Sequence, residues 1–306
     1  MSNPNPTNIS ASVLAKLKNI ADKHKTDYSQ LVTRYCTERF LYRLSISEYR
    51  ERFVLKGGSM FVIWQKDFTY RATLDTDMLC FGDTDIRHLQ SIFTEVAQIT
   101  PDVKDGIRFD TTSIIAEPIT QNTRYVGTRI KFNCYVGSFR TTLQFDIGVG
   151  DVISPKPKLT EYPALLGNEA PLLLVYPMET ALAEKIEAMI TLGMLNSRMK
   201  DFYDMWLLSE RFNHDYAALR KAIVKTFKQR SIPLPTTAPT ALTDAFAESP
   251  DVQKRWEIFL TKNKPPIQPE VSFPAVIERI SEFLLPVLIP SAQPPVKWIA
   301  ANGWQE

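Results

Sequence analysis

Apolar residues recur at helical spacing through the first fifty positions. Val13, Leu17 and Ile20 form one stripe, and Leu31, Tyr35, Phe40 and Leu44 form another beyond a polar break at 26–29. Residues 10–52 are therefore expected to be helical. A short apolar run at 53–56 reads as a strand that enters a Gly-Gly turn, and an apolar helix restarts over 59–64. The segments 73–80, 110–115, 127–135 and 141–148 are rich in β-branched and aromatic residues and read as strands. From Met178 onward the pattern is helical again. The order is helices, a small strand-rich core, then helices, which predicts an α+β protein.

Composition narrows this picture without naming a function. At 306 residues, the chain is long enough for two lobes. We expect one over 1–175, holding the N-terminal helices and the strand core, and a helical lobe over 176–306. An apolar fraction of 44% and a charged fraction of 23% are ordinary globular usage. No apolar stretch reaches the roughly 18 residues of a membrane span. The first ten residues lack basic and apolar signal regions, so no secretory signal is expected. Cys36, Cys80 and Cys134 have neither metal nor disulfide spacing, which fits a reducing cytoplasm.

The net charge of +2 hides a segregation. Residues 16–56 carry ten Lys/Arg against five Asp/Glu, and 185–230 carry nine against five, whereas 67–117 carry ten acids against four bases. An acidic middle between basic flanks suits a metal site beside a polyanion-binding surface, and solvated helix faces account for it equally well. Proline punctuates the end of the chain: 12 of 21 fall in 231–306, where they mark linkers around short helices.

Glycine is scarce, with 11 in the chain, so the pair Gly57–Gly58 marks a place of unusual dihedrals or close approach. Lys56-Gly57-Gly58-Ser59 follows a strand and opens a helix, an arrangement that offers backbone N–H groups to phosphate. Arg71-Ala72-Thr73-Leu74-Asp75-Thr76-Asp77 comes next. On a strand Asp75 and Asp77 share a face, and two carboxylates so placed call for a divalent cation such as Mg²⁺ (or Mn²⁺). In 141–147 the apolar Leu143, Phe145 and Ile147 alternate with polar residues. Asp146 therefore lies opposite the core, on a strand that could pair beside 73–79. Three aspartates around metal ions would activate a hydroxyl and stabilise a leaving pyrophosphate. Taken singly, the glycine pair could be a turn and Asp146 an ordinary exposed residue; the combination is more specific. The histidines have no triad or zinc context, and the dinucleotide and P-loop glycine patterns are absent.

The combination resembles the DNA-polymerase-β-like nucleotidyltransferase superfamily, and more closely the AbiEii/AbiGii toxin-type nucleotidyltransferases. The resemblance rests on VLKGGSMF at 54–61, RATLDTDM at 71–78, LQFDIGVGD at 143–151, VYPMETALAEKIEAM from 175 and RMKDFYDMW up to 206. The N-terminal stretch at 34–53 and the RWEIFL segment at 255–260 add to it. The spacing from Ser59 to Asp75 is longer than in the compact polymerase-β pattern.

The resemblance implies a small mixed β-sheet nucleotidyltransferase core with N-terminal helices, and a C-terminal helical lobe that completes the active site. It implies that Asp75, Asp77 and Asp146 hold the metal and, with Lys185, carry catalysis. Gly58, Ser59, Arg71, Thr73 and Asp201 then serve nucleotide binding. From the helical wheel alone, Lys185 sits at the edge of an apolar face and would snorkel; the resemblance points instead to a triphosphate contact. Asp201 could cap a helix with Asp204 in its first turn, or position Lys185 or a nucleotide. The implied reaction moves a nucleoside monophosphate from an NTP to an RNA acceptor, the 3′ end of tRNA. The implied role is a cytoplasmic toxin paired with a cognate antitoxin. A small-molecule or protein acceptor, or a non-catalytic binding module on the same fold, are the alternatives.

Overall fold

A computed structural model describes residues 9–65, 75–119, 127–265 and 267–306. The described chain forms two compact units, one of residues 1–150 and 158–176, the other of residues 151–157 and 177–306.

The first unit opens with α1 (Ile9–His24) and α2 (Tyr28–Ser45). Val13, Leu17 and Ala21 are the buried stripe of α1, the i, i+4 spacing that predicts an amphipathic helix. Asp27 starts α2 by accepting the Gln30 N–H at 2.8 Å, a side-chain N-cap. Next come β1 (Phe53–Lys56), a 3₁₀ turn over Gly57–Ser59, α3 (Met60–Gln65), β2 (Asp75–Cys80) and α4 (Ile86–Gln98). They are followed by β3 (Ile107–Phe109), β4 (Ile115–Pro118), β5 (Gly127–Val136), β6 (Phe139–Gly148), β7 (Lys158–Glu161) and β8 (Leu172–Val175). The sheet order is β3-β5-β6-β2-β1-β8-β7, with β4 also paired to β5. It is a mixed sheet: β2 runs parallel to β6 and β1 parallel to β8, while β1–β2 and β5–β6 are antiparallel.

One face of this sheet is apolar and carries the core. Phe40 of α2 packs within 4.8–5.1 Å, centroid to centroid, of Phe93, Phe132 and Phe145. All four rings are essentially inaccessible to solvent. Burial of this order contributes roughly 2–3 kcal/mol per aromatic side chain. From Thr128 in β5 and from Leu143 in β6, buried residues alternate with half-exposed ones, so the polar positions of both strands line the opposite face.

The strand expected over 110–115 is broken. Asp110 accepts both the Thr112 N–H at 3.2 Å and its hydroxyl at 2.7 Å, and Ser113 donates to the Asp110 carbonyl at 2.7 Å. These local bonds compete with the ladder and turn 111–113 into a 3₁₀ helix between β3 and β4.

The second unit contains α5 (Met178–Leu192), α6 (Met199–Arg211), β9 (His214–Asp215), α7 (Tyr216–Gln229), α8 (Asp244–Ala247), α9 (Pro250–Asn263), α10 (Phe273–Leu288), β10 (Lys297–Ile299) and β11 (Gly303–Gln305). It is mostly helical, as expected, but β9, β10 and β11 form a three-stranded sheet that the helical pattern hid. Trp298 anchors that sheet: it is fully buried, packs its ring tilted against Phe283 with centroids 4.8 Å apart, and donates its indole N–H to the Ser209 carbonyl at 2.7 Å. Residues 151–157 are tied into this unit by Thr180, whose hydroxyl accepts the Ser154 N–H at 3.0 Å and donates to the Ser154 carbonyl at 2.9 Å. No helix among the described residues is long and apolar enough to cross a membrane.

Candidate active site

In the first unit, strand register assembles the charged face. Asp77 on β2 lies opposite Asp146 on the parallel strand β6, and Asp75 lies opposite Gln144. Because side chains alternate along a strand, Asp75, Asp77 and Asp146 project to one face. The same rung continues on both sides: Lys56 of β1 is opposite Asp77, Arg129 of β5 is opposite Asp146, and Glu117 of β4 is opposite Arg129. Charges along the rung therefore run acid, base, acid, acid, base, with the two central acids adjacent.

The partners of each carboxylate differ. Arg129 grips Asp146 with a fork, Nε to Oδ1 at 2.8 Å and Nη2 to Oδ2 at 2.7 Å. The Gln144 amide also reaches Asp146 Oδ1, at 3.4 Å. Burial, and then the charge of Asp146, raise the pKa of Asp75 above the ordinary carboxylate value, against the opposing pull of Arg129 and Lys131. Lys131 itself is paired with Glu117 at 3.0 Å. Among the described residues, no three Asp, Glu, His or Cys side chains converge on one point as a metal cage. The donor set is nevertheless hard oxygen on a single face, the type suited to Mg²⁺ or Mn²⁺.

The glycine turn serves this face in an unexpected way. Gly57 has φ +70°, and a Cβ built on it would lie 2.0 Å from Oδ2 of Asp77 and 2.8 Å from its Cγ. The missing side chain of Gly57 therefore makes room for Asp77. Gly58 is buried in the same turn. Ser59 is buried as well and lines a cavity of about 10 Å³ with Thr33, Arg34, Thr37, Thr76 and Tyr162. That volume holds one water at most. Thr76 alternates to the face opposite Asp75 and Asp77, so Ser59 is brought together with core-side polar groups. A larger cavity of about 610 Å³, bordered by Arg43, Asp105 and Phe109, includes none of the expected site residues. Arg71 and Thr73 lie outside the described residues.

In the second unit, Lys185 of α5 lies between two carboxylates of α6. Its ammonium donates to Asp201 at 2.6 Å and to Asp204 at 2.8 Å. Burial opposes this charge, yet Asp201 and Asp204 together hold the lysine pKa above its ordinary value. Asp204 is fully buried, and Asp201 is also gripped by Arg198 at 2.8 Å. The N-cap position of α6 is Arg198, so Asp201 is a first-turn residue rather than the cap. Lys185 is therefore held by carboxylates rather than snorkelling, at the centre of an ionic network whose two acids are buried.

Two contributors escape a reading of motifs. Arg129 carries no motif signal, but the tight turn that pairs Val136 with Phe139 sets the hairpin register, and counting back along both strands puts Arg129 against Asp146. Lys56 reads as a solvated lysine, yet its ammonium lies 5.2 Å from the ring centroid of Tyr176, within cation–π range. Tyr176 is in turn tied to β1 by its N–H to the Leu55 carbonyl at 2.9 Å.

Comparison with known proteins places the chain. No curated protein matches it in sequence. Its fold is similar to that of MenT4, a nucleotidyltransferase toxin from Mycobacterium tuberculosis, with a TM-score of 0.52 at 17% identity over 89% of this chain and 86% of that one. JHP933 from Helicobacter pylori is more distant, with a TM-score of 0.42 at 11% identity over 78% of this chain and 94% of that one. The family described as "Nucleotidyl transferase AbiEii toxin, Type IV TA system" matches residues 39–284, a span that runs from α2 through both charged clusters into α10. The chain belongs to this AbiEii family of nucleotidyltransferase toxins of type IV toxin–antitoxin systems.

Proposed function

We propose that this toxin transfers a nucleoside monophosphate from an NTP to the 3′ end of an RNA, with tRNA as the acceptor, in a reaction that depends on Mg²⁺ or Mn²⁺. The observation that carries the reading is the pairing of Asp77 with Asp146 on adjacent parallel strands, with Asp75 two residues away on the same face. These three side chains would hold the cation, which supplies charge stabilisation for phosphoryl transfer. Asp146 also helps to take the proton from the acceptor hydroxyl. Lys185 offsets charge on the triphosphate, an electrostatic role for a positioned cation, and Asp201 keeps Lys185 in place. Gly58 and Ser59 contribute backbone N–H groups to phosphate, and Arg71 and Thr73 extend that contact. The basic stretches at 16–56 and 185–230 suit an RNA backbone. A cytoplasmic location and a cognate antitoxin complete the reading.

The test is transfer of label from each α-³²P NTP to total cellular RNA, with and without EDTA. Labelling of a tRNA-sized band that EDTA abolishes supports the proposal. Label that enters only protein or small molecules moves the acceptor to another class. Acceptor binding should also weaken steeply with salt, with a log–log slope near −0.7 to −0.9 per phosphate contacted.

A further inference from the structure

We propose that Arg129 is a positioning residue that serves as the built-in counter-cation of the carboxylate face and competes with a divalent cation for Asp146. The inference rests on the metal-binding reading of Asp75, Asp77 and Asp146 above. Three observations carry it. First, the Arg129 fork engages both oxygens of Asp146, at 2.8 and 2.7 Å, the two-point geometry that makes an Arg–carboxylate pair strong. Second, the contact is built into the sheet: Arg129 and Asp146 are paired residues of the β5–β6 hairpin, and Asp146 is the parallel partner of Asp77. Third, the three aspartates share a face, yet the side chains of the described residues do not converge as a cation cage, and both oxygens of Asp146 are turned to a guanidinium.

The physical reason is charge. Three carboxylates on one strand face repel one another, and a positive group there offsets that repulsion when no cation is bound. Arg129 supplies that group without leaving the sheet, being 28% exposed at its side chain against 18% for Asp146. The cost is that a divalent cation must displace the fork to use Asp146. A unit charge about 6 Å from a divalent ion, screened as in water, changes binding roughly tenfold.

The experiment titrates Mn²⁺ alone into the full chain, stripped of metal with EDTA, by calorimetry. Arg129→Gln should bind Mn²⁺ about tenfold more tightly than wild type while its metal-free melting temperature falls. Arg129→Lys, which keeps the charge, should stay within about threefold of wild type. The tighter binding of Arg129→Gln should vanish when it is combined with Asp146→Asn. Unchanged or weaker binding by Arg129→Gln, or a gain in Arg129→Lys equal to that of Arg129→Gln, overturns the inference while leaving the carboxylate reading in place. If Asp146→Asn alone binds Mn²⁺ like wild type, the carboxylate reading fails and this inference fails with it.

Discussion

Replacing Gly57 by alanine tests whether the glycine turn exists for Asp77. Two costs can be worked from the geometry. Gly57 has φ +70°, a left-handed conformation that costs an L-residue roughly 1–2 kcal/mol. The added methyl would also lie 2.0 Å from Oδ2 and 2.9 Å from Cβ of Asp77, closer than any tolerated contact. Asp77 must therefore rotate away or β2 must shift, at a further cost of about 1 kcal/mol. The expected total of about 2–3 kcal/mol corresponds to a fall of about 4–12 °C in the melting temperature of a unit this size. If Asp77 serves the reaction, its displacement should lower transfer by about a hundredfold, the usual penalty for misplacing a reacting group by an ångström. The assay is a double-mutant cycle read by thermal melting. In an Asp77→Gly background the clash is gone, so Gly57→Ala should cost only the conformational part. Equal costs in the two backgrounds, or wild-type transfer by Gly57→Ala, would refute the reasoning.

Asp75→Asn should abolish nucleotide transfer yet raise the melting temperature of the metal-free protein at pH 7. Burial and Asp146 raise the Asp75 pKa, so its ionisation costs stability as pH rises through the carboxylate range; melts at pH 7 and about pH 3 check this, because the difference should vanish at the lower pH. Lys185→Ala should destabilise the C-terminal unit by about 3–5 kcal/mol, because it strands two buried carboxylates; the triple variant that adds Asp201→Asn and Asp204→Asn should recover much of the loss in a melting experiment. His214 is held neutral by burial, its pKa lowered to about 4, so the unfolded chain takes up a proton that the folded one refuses as pH falls from about 6.5 to 4. That unit should lose about 3 kcal/mol over this window, and His214→Phe should flatten the pH dependence in denaturant titrations.

What the sequence disclosed followed from periodicity. Alternation along 141–147 correctly turned Asp146 away from the core, because Leu143, Phe145 and Ile147 had to face α2. The Asp-x-Asp spacing likewise set Asp75 and Asp77 on one face. Periodicity does not report which strands pair, so Arg129 became visible only once the hairpin register was counted. It is equally silent where local hydrogen bonds prevail: Asp110 and Ser113 curl a segment whose composition favours a strand. The helical wheel put Lys185 at the edge of an apolar face, the right angular position. It could not show that two carboxylates on the next helix lie within hydrogen-bond reach. The three-stranded sheet at the end of the chain escaped notice because its strands are two or three residues long, too short for alternation to register.

The route of the chain through residues 151–157 has a consequence for any attempt to divide the protein. This segment follows β6, which carries Asp146, and precedes β7, yet it groups with the helical unit. Thr180 clasps Ser154, and Arg230 pairs with both Asp151 and Glu187. A fragment ending at residue 176 would keep Asp151 and Ser154 but discard Thr180, Glu187 and Arg230. A fragment starting at residue 177 would have the opposite defect, with Arg230 and Glu187 left behind and Asp151 gone. Neither half keeps both sides of these contacts, so shuffling the two units calls for exchanging the short insert together with the helices. Proteolytic nicking at residue 176 should accordingly leave two pieces that stay together until denatured.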